Sequence, residues 1–174
     1  MKNIYRGALI ISIALTGCAG SKLTSSQSAK TESSQNSISL QAQIDGIQKK
    51  IEACVLELNQ TEDAKFVNEH ILVLIPNSPN AKGLFNSNEK IAADQVVVLN
   101  RFKVSTLKCR AIANELPNSD LVEVYTSFYS KIDAVYADLI DQRITIGVAN
   151  QERAMRIQYA RTRWTEILKT QTGV

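Results

Sequence analysis

Residues 118–140, NSDLVEVYTSFYSKIDAVYADLI, decide the fold class. Leu121, Val124, Phe128, Ile132, Val135 and Leu139 recur every three or four residues, the period at which side chains share one face of a helix. Asn118 or Ser119 stands where an N-cap is wanted, and Asp120 and Glu123 fall in the first turn, where the helix dipole favours negative charge. Val122, Tyr125, Tyr129, Tyr136 and Ile140 widen the stripe along one flank. The apolar arc then covers nearly half the circumference, more than a single neighbouring helix needs. Either further helices cover the tyrosine flank, or it is a partner surface, since tyrosine suits a surface that is apolar yet wet.

Working outward, the preceding segment predicts another helix. Asn86 and Glu89 have capping-box spacing, and Leu99, Phe102, Thr106, Cys109, Ala113 and Leu116 form its inner face before Pro117 ends it. Nearer the N-terminus, Leu40, Ile44, Ile47, Ile51, Cys54 and Leu58 alternate by four and three. Gly46 costs that helix roughly 1 kcal/mol relative to Ala. Only about three heptads are present, so the stripe predicts packing within a domain rather than a coiled coil.

Thr61 to Lys65 breaks the pattern, and the run Ile71 to Ile75 follows, stopped by Pro76, Asn77, Ser78, Pro79 and Asn80. Such a run suits a helix end or a buried strand. Helix is favoured because Ala64, Val67, Ile71 and Leu74 keep a helical spacing, and only Val96, Val97 and Val98 offer a strand partner. Beyond the central helix, Arg143 to Gly147 punctuates the chain with Thr145 as N-cap, and a last helix buries Ala149, Ile157, Ala160, Trp164, Ile167 and Leu168. The expected architecture is an all-α bundle of four or five helices over 38–174, with an α+β domain carrying a small hairpin as the alternative.

Composition suits a folded chain, with 44% hydrophobic and 21% charged residues. The last helix carries Arg153, Arg156, Arg161 and Arg163, whereas its predecessor carries Asp120, Glu123, Asp133, Asp138 and Asp141. Antiparallel neighbours would pair these charges; alternatively Arg153, Arg156 and Arg163 form an anion-binding cluster. His70 is the only histidine, which leaves no His-based metal site. There is no G-x-S-x-G elbow, and the seven glycines form no phosphate-cradling loop. We therefore expect no catalytic residue, no metal and no cofactor.

The first residues read as an export signal: Lys2 and Arg6, an apolar stretch from Ala8 to Leu15, then Thr16 and Gly17. That core is about half the roughly 20 apolar residues a membrane span requires. Leu15, Thr16, Gly17 and Cys18 resemble the lipobox of bacterial lipoproteins. The resemblance implies removal of 1–17 and lipids on Cys18 that hold the protein to a membrane. Ala19, where an inner-membrane retention aspartate would stand, implies the outer membrane, facing the periplasm. The turn from Arg143 to Gly147 also resembles one in helical lipoproteins of Gram-negative bacteria. Residues 18–37 are mostly polar, with Leu23 the only large apolar side chain, and predict a flexible tether. Without Lys2 and Arg6, 18 basic residues face 17 acidic ones, so the mature chain is nearly neutral and nucleic acid is not an expected partner.

Export also bears on the remaining cysteines. Disulfides persist in an oxidising compartment, so Cys54 and Cys109, both on inward stripes, are expected to bond. The functional expectation is a membrane-anchored, non-enzymatic interaction or scaffold protein working with another envelope protein. One alternative is a pilotin-like chaperone holding a partner's segment in a helical groove. Another is an envelope enzyme using dispersed carboxylates or arginines.

Overall fold

The computed structural model describes residues 28–172. The signal segment, Cys18 and the first part of the expected tether lie outside that range. Six α-helices follow one another: α1 (Ser28–Leu58), α2 (Glu62–His70), α3 (Ala81–Phe85), α4 (Ala93–Ala111), α5 (Ser119–Ile140) and α6 (Ile146–Thr172). A 3₁₀ turn, Ile112–Glu115, extends α4. The described residues contain no strand, so the all-α class holds and the hairpin alternative falls. The count exceeds the expected four or five because α2 and α3, of 9 and 5 residues, have no long stripe to announce them. Helical backbone also begins at Ser28 rather than near 38. No Pro or Gly interrupts 28–37, so the helix that packs further on continues outward.

Local chemistry starts these helices. Asn118 caps α5, its side chain accepting from the Leu121 N–H at 3.0 Å. Thr61 caps α2 by accepting from the Ala64 N–H at 3.3 Å, and Thr145 does the same for Val148 of α6 at 3.3 Å. The expected box of Asn86 and Glu89 does not open α4. Asn86 instead closes α3, its Nδ2 donating to the Lys82 carbonyl at 2.8 Å. The carbonyls of Ser87 and Glu89 accept from the Gly147 and Ile146 N–H groups at 3.0 and 2.9 Å, which satisfies the open amino end of α6 and holds 87–92 out of a helix. α4 starts later, where Gln95 Oε1 accepts from the Ala92 N–H at 2.9 Å.

The run from Ile71 to Ile75 is neither helix nor strand. α2 ends at His70, and Ile71, Leu72 and Val73 continue as a buried irregular segment. Every N–H of the run is nevertheless satisfied. Those of Ile71 and Leu72 donate to the Val67 carbonyl, that of Val73 to Asn150 Oδ1, and those of Leu74 and Ile75 to Asn68 Oδ1. In return the Ile71 carbonyl accepts from Asn150 Nδ2 and the Val73 carbonyl from Arg153. Side chains do here what a neighbouring strand would do, which lets apolar residues sit buried without regular structure.

α5 and α6 form an antiparallel hairpin that spans two cores. One gathers Val67, Ile71, Leu72, Leu99, Phe102, Ile132 and Leu139 around the C-terminal half of α5. The other joins Ile44 and Ile51 of α1 to Leu121, Trp164 and Ile167. α1 approaches α4 and the 3₁₀ turn at backbone distance. The Cys54–Cys109 disulfide, with Cα atoms 5.6 Å apart, fastens that side as expected. The ion pairs Glu57–Lys108 and Lys50–Glu115 flank it, both exposed and contributing little.

Candidate functional site

On its other side α1 faces α5 and α6, and a cleft of about 60 Å³ remains between them. Ile51 and Val55 of α1 form one wall, Tyr125, Phe128 and Tyr129 the second, and Trp164, with Ile157 and Ala160, the third. Gln48, Glu52 and Arg161 supply its polar lining. The four-residue spacing of Tyr125 and Tyr129 sets their rings 5.8 Å apart, and Trp164 meets Tyr125 edge-on at 5.7 Å. Behind Tyr129, the Arg110 guanidinium lies 4.5 Å from the ring centre and forks onto Asp133 at 2.7 and 2.9 Å.

Burial pushes the phenols of both Tyr125 and Tyr129 above the ordinary tyrosine range, so both stay protonated well above neutral pH. The Trp164 indole is 1% exposed, and its Nε1–H has no acceptor among the described residues. A buried donor of that kind is normally partnered.

The tyrosine flank is not one exposed surface, as the partner-surface reading required. Tyr136 is 3% exposed and belongs to the first core, Val122 and Ile140 are half-buried against the two cores, and Tyr125 and Tyr129 face the cleft. The wide apolar arc serves α1, the end of α4 and α6 together. The arginines are not one cluster either. Arg153 donates to the Val73 carbonyl at 2.6 Å, Arg156 pairs with Glu152 and Arg163 with Glu166. Nor do α5 and α6 pair their charges as antiparallel neighbours: Asp133 holds Arg110, while Asp138 and Asp141 hold Arg143 in the turn. Arg156 and Arg163 do line one groove beside Asp120, Glu123 and Lys131, a mixture of signs that does not select an anion.

His70 is exposed, 3.8 Å from Glu69, with its ring tilted against that of Phe66 at 4.6 Å. Among the described residues no cluster of three His, Cys, Asp or Glu could hold a metal ion. No family model, curated protein or solved structure matches the chain. Sequence reasoning missed Gln48 and Glu52, which sit on the polar edge of their stripe, and Arg110, whose role depends on α4 and α5 meeting; Arg161 was read only as one of the charges of the last helix. Val55, next to Cys54 and outside the four-three pattern, was the one available signal of a second apolar face on α1.

Proposed function

We propose that the protein is a lipid-anchored, non-enzymatic interaction protein of the bacterial envelope, tethered through Cys18 to the outer membrane and facing the periplasm. The aromatic cleft between α1 and the α5–α6 hairpin carries this reading. Its walls combine apolar and aromatic side chains with a polar edge of Gln48, Glu52 and Arg161, the composition of a site that takes a partner's group. The resemblance of residues 15–18 to a lipobox supports the anchor. The cleft's open side also favours a pilotin-like variant, in which the occupant is a segment of a partner held in transit.

A photo-crosslinking residue placed at Gln48, beside the cleft, and at Asn100, on the exposed face of α4, tests the reading in cells. A discrete envelope-protein adduct from position 48 and none from position 100 is expected, lost when Cys18→Ala removes the anchor. No adduct from either position would sink the proposal, as would an unmodified mature N-terminus downstream of Cys18.

A further inference from the structure

We infer that α4 pairs in parallel with α4 of a second copy of this chain, through a seam formed by Ala93, Val97, Asn100, Val104, Leu107 and Ala111. None of these residues lines the cleft, so the inference stands apart from the interaction-protein reading. All six are exposed, and they follow one another at spacings of four, three, four, three and four along the whole of α4. The opposite face of the helix is already committed, since Leu99, Phe102 and Cys109 are buried. A surface helix packed on a core is ordinarily polar on its outer side. Here Val97, Val104 and Leu107 are 56%, 67% and 56% exposed, three of the seven large apolar side chains exposed among the described residues. Single exposed apolar residues are common, but a line of them on one helix marks an interaction surface.

The pattern of the line identifies what covers it. An alternating four-three repeat buries itself against another helix of the same period, and Val at 97 and 104 with Leu at 107 is the arrangement that favours two strands. A two-fold dimer supplies such a helix, because both copies offer the same patch. Asn100 sets the direction. One polar residue in a seam fixes register and strand number, and in a parallel pair Asn100 meets its counterpart, each amide able to donate to and accept from the other. An antiparallel pair centred on the same stretch would lay it against Val104. Charge permits the approach. Basic residues flank the seam, yet Arg101 is forked onto Asp63 at 2.9 and 2.7 Å and Lys108 pairs with Glu57 at 3.1 Å. Each copy therefore brings ion pairs to that rim, where bare cations would repel. Lys103, on the other rim, faces the Lys108–Glu57 pair of the second copy and so finds a carboxylate there.

Cysteine crosslinking of the whole chain, purified in mild detergent and oxidised briefly with copper phenanthroline, tests the pairing. Val97→Cys should give a disulfide-linked dimer, whereas Met155→Cys on α6, at a site 54% exposed, should stay monomeric under the same treatment. Val97→Cys mixed with a tagged Leu107→Cys chain should give no mixed adduct, since a parallel seam keeps those positions roughly 15 Å apart along the axis. Adding Val104→Glu to Val97→Cys should raise the concentration for half-maximal crosslinking about tenfold or more, because both copies lose a buried valine, with the melting temperature unchanged. Should that variant fail to fold, Leu107→Gln takes its place. A monomer from Val97→Cys, an equal yield from Met155→Cys, a mixed adduct in place of the symmetric one, or crosslinking unaffected in a folded seam variant would overturn the pairing. In cells a photo-crosslinker at position 100 then gives only a self-adduct of doubled mass and none with a different envelope protein, so the interaction-protein reading is still judged at position 48.

Discussion

Asn150 and Val73, 77 residues apart in sequence, share a buried hydrogen bond of 2.7 Å in which the asparagine Oδ1 accepts from the Val73 N–H. The Nδ2 of the same amide donates to the carbonyls of Ile71 and Ile146, both at 2.9 Å. One side chain thereby ties the irregular segment after α2 to the first turn of α6. Asn150 is 2% exposed and is the only fully buried polar side chain among the described residues.

Replacing Asn150 by Ala should cost about 2–5 kcal/mol, because the Val73 N–H and the Ile71 carbonyl lose their partner away from water. Asn150→Asp should be worse at neutral pH, since a carboxylate would face two carbonyl oxygens. There the folded state favours the protonated acid, so its pKa rises above the unfolded value. Stability is then greatest below the ordinary aspartate range and falls as pH rises through the folded pKa. Urea melts at neutral and mildly acidic pH check this; a deficit that does not narrow at acidic pH would contradict the geometry.

Gly147→Ala tests the seating of α6. Helix propensity alone favours Ala by about 1 kcal/mol. A Cβ at this position would lie 2.5 Å from the Ser87 carbonyl oxygen and 3.0 Å from that of Phe85, backbone atoms with nowhere to move. We expect a net loss of about 1–3 kcal/mol, the usual cost of forced overpacking. A variant as stable as the parent in thermal denaturation would mean that the α3–α6 contact is looser than described.

The disulfide closes a loop over a sequence separation of 55. Cys54→Ser with Cys109→Ser should lower stability by up to about 4 kcal/mol through loop-closure entropy. Because the bridge joins α1 to α4, limited proteolysis of the variant should cut within α1 first, and thiol titration of the unreduced parent should find neither cysteine free. Two reactive thiols would refute the bond.

Tyr129→Ala should destabilise the domain by about 3–5 kcal/mol, as aromatic truncation in a core does, and not merely weaken a complex. The tyrosines also predict an alkaline limit. Burial raises the pKa of Tyr125 and Tyr129 in the folded chain. Their stabilisation is therefore complete below the unfolded value of about 10 and is lost as pH rises from there toward the folded pKa. Absorbance of the phenolate should show these two residues ionising together with unfolding. Tyr125→Phe with Tyr129→Phe should extend folding to higher pH.

What the sequence determined by itself is everything that short-range rules govern. The four-three periodicity around Leu121 to Leu139 required a helix, Asn118 and Thr145 marked two starts, and Cys54 and Cys109 both fell on inward stripes. These features concern neighbours within a turn or two, so they survive without knowledge of the rest of the chain. Tertiary structure decided how Ile71 to Val73 could be buried without regular structure, because the side chains that meet the Val73 N–H and the Ile71 and Val73 carbonyls, on Asn150 and Arg153, arrive from 77 to 80 residues away. It also decided that the tyrosine flank lines a cleft and that the arginines of α6 answer to separate partners. A helical stripe reveals that a face is covered, but which helix covers it, and how closely, depends on where the disulfide and the loop at Ser87 hold the neighbours.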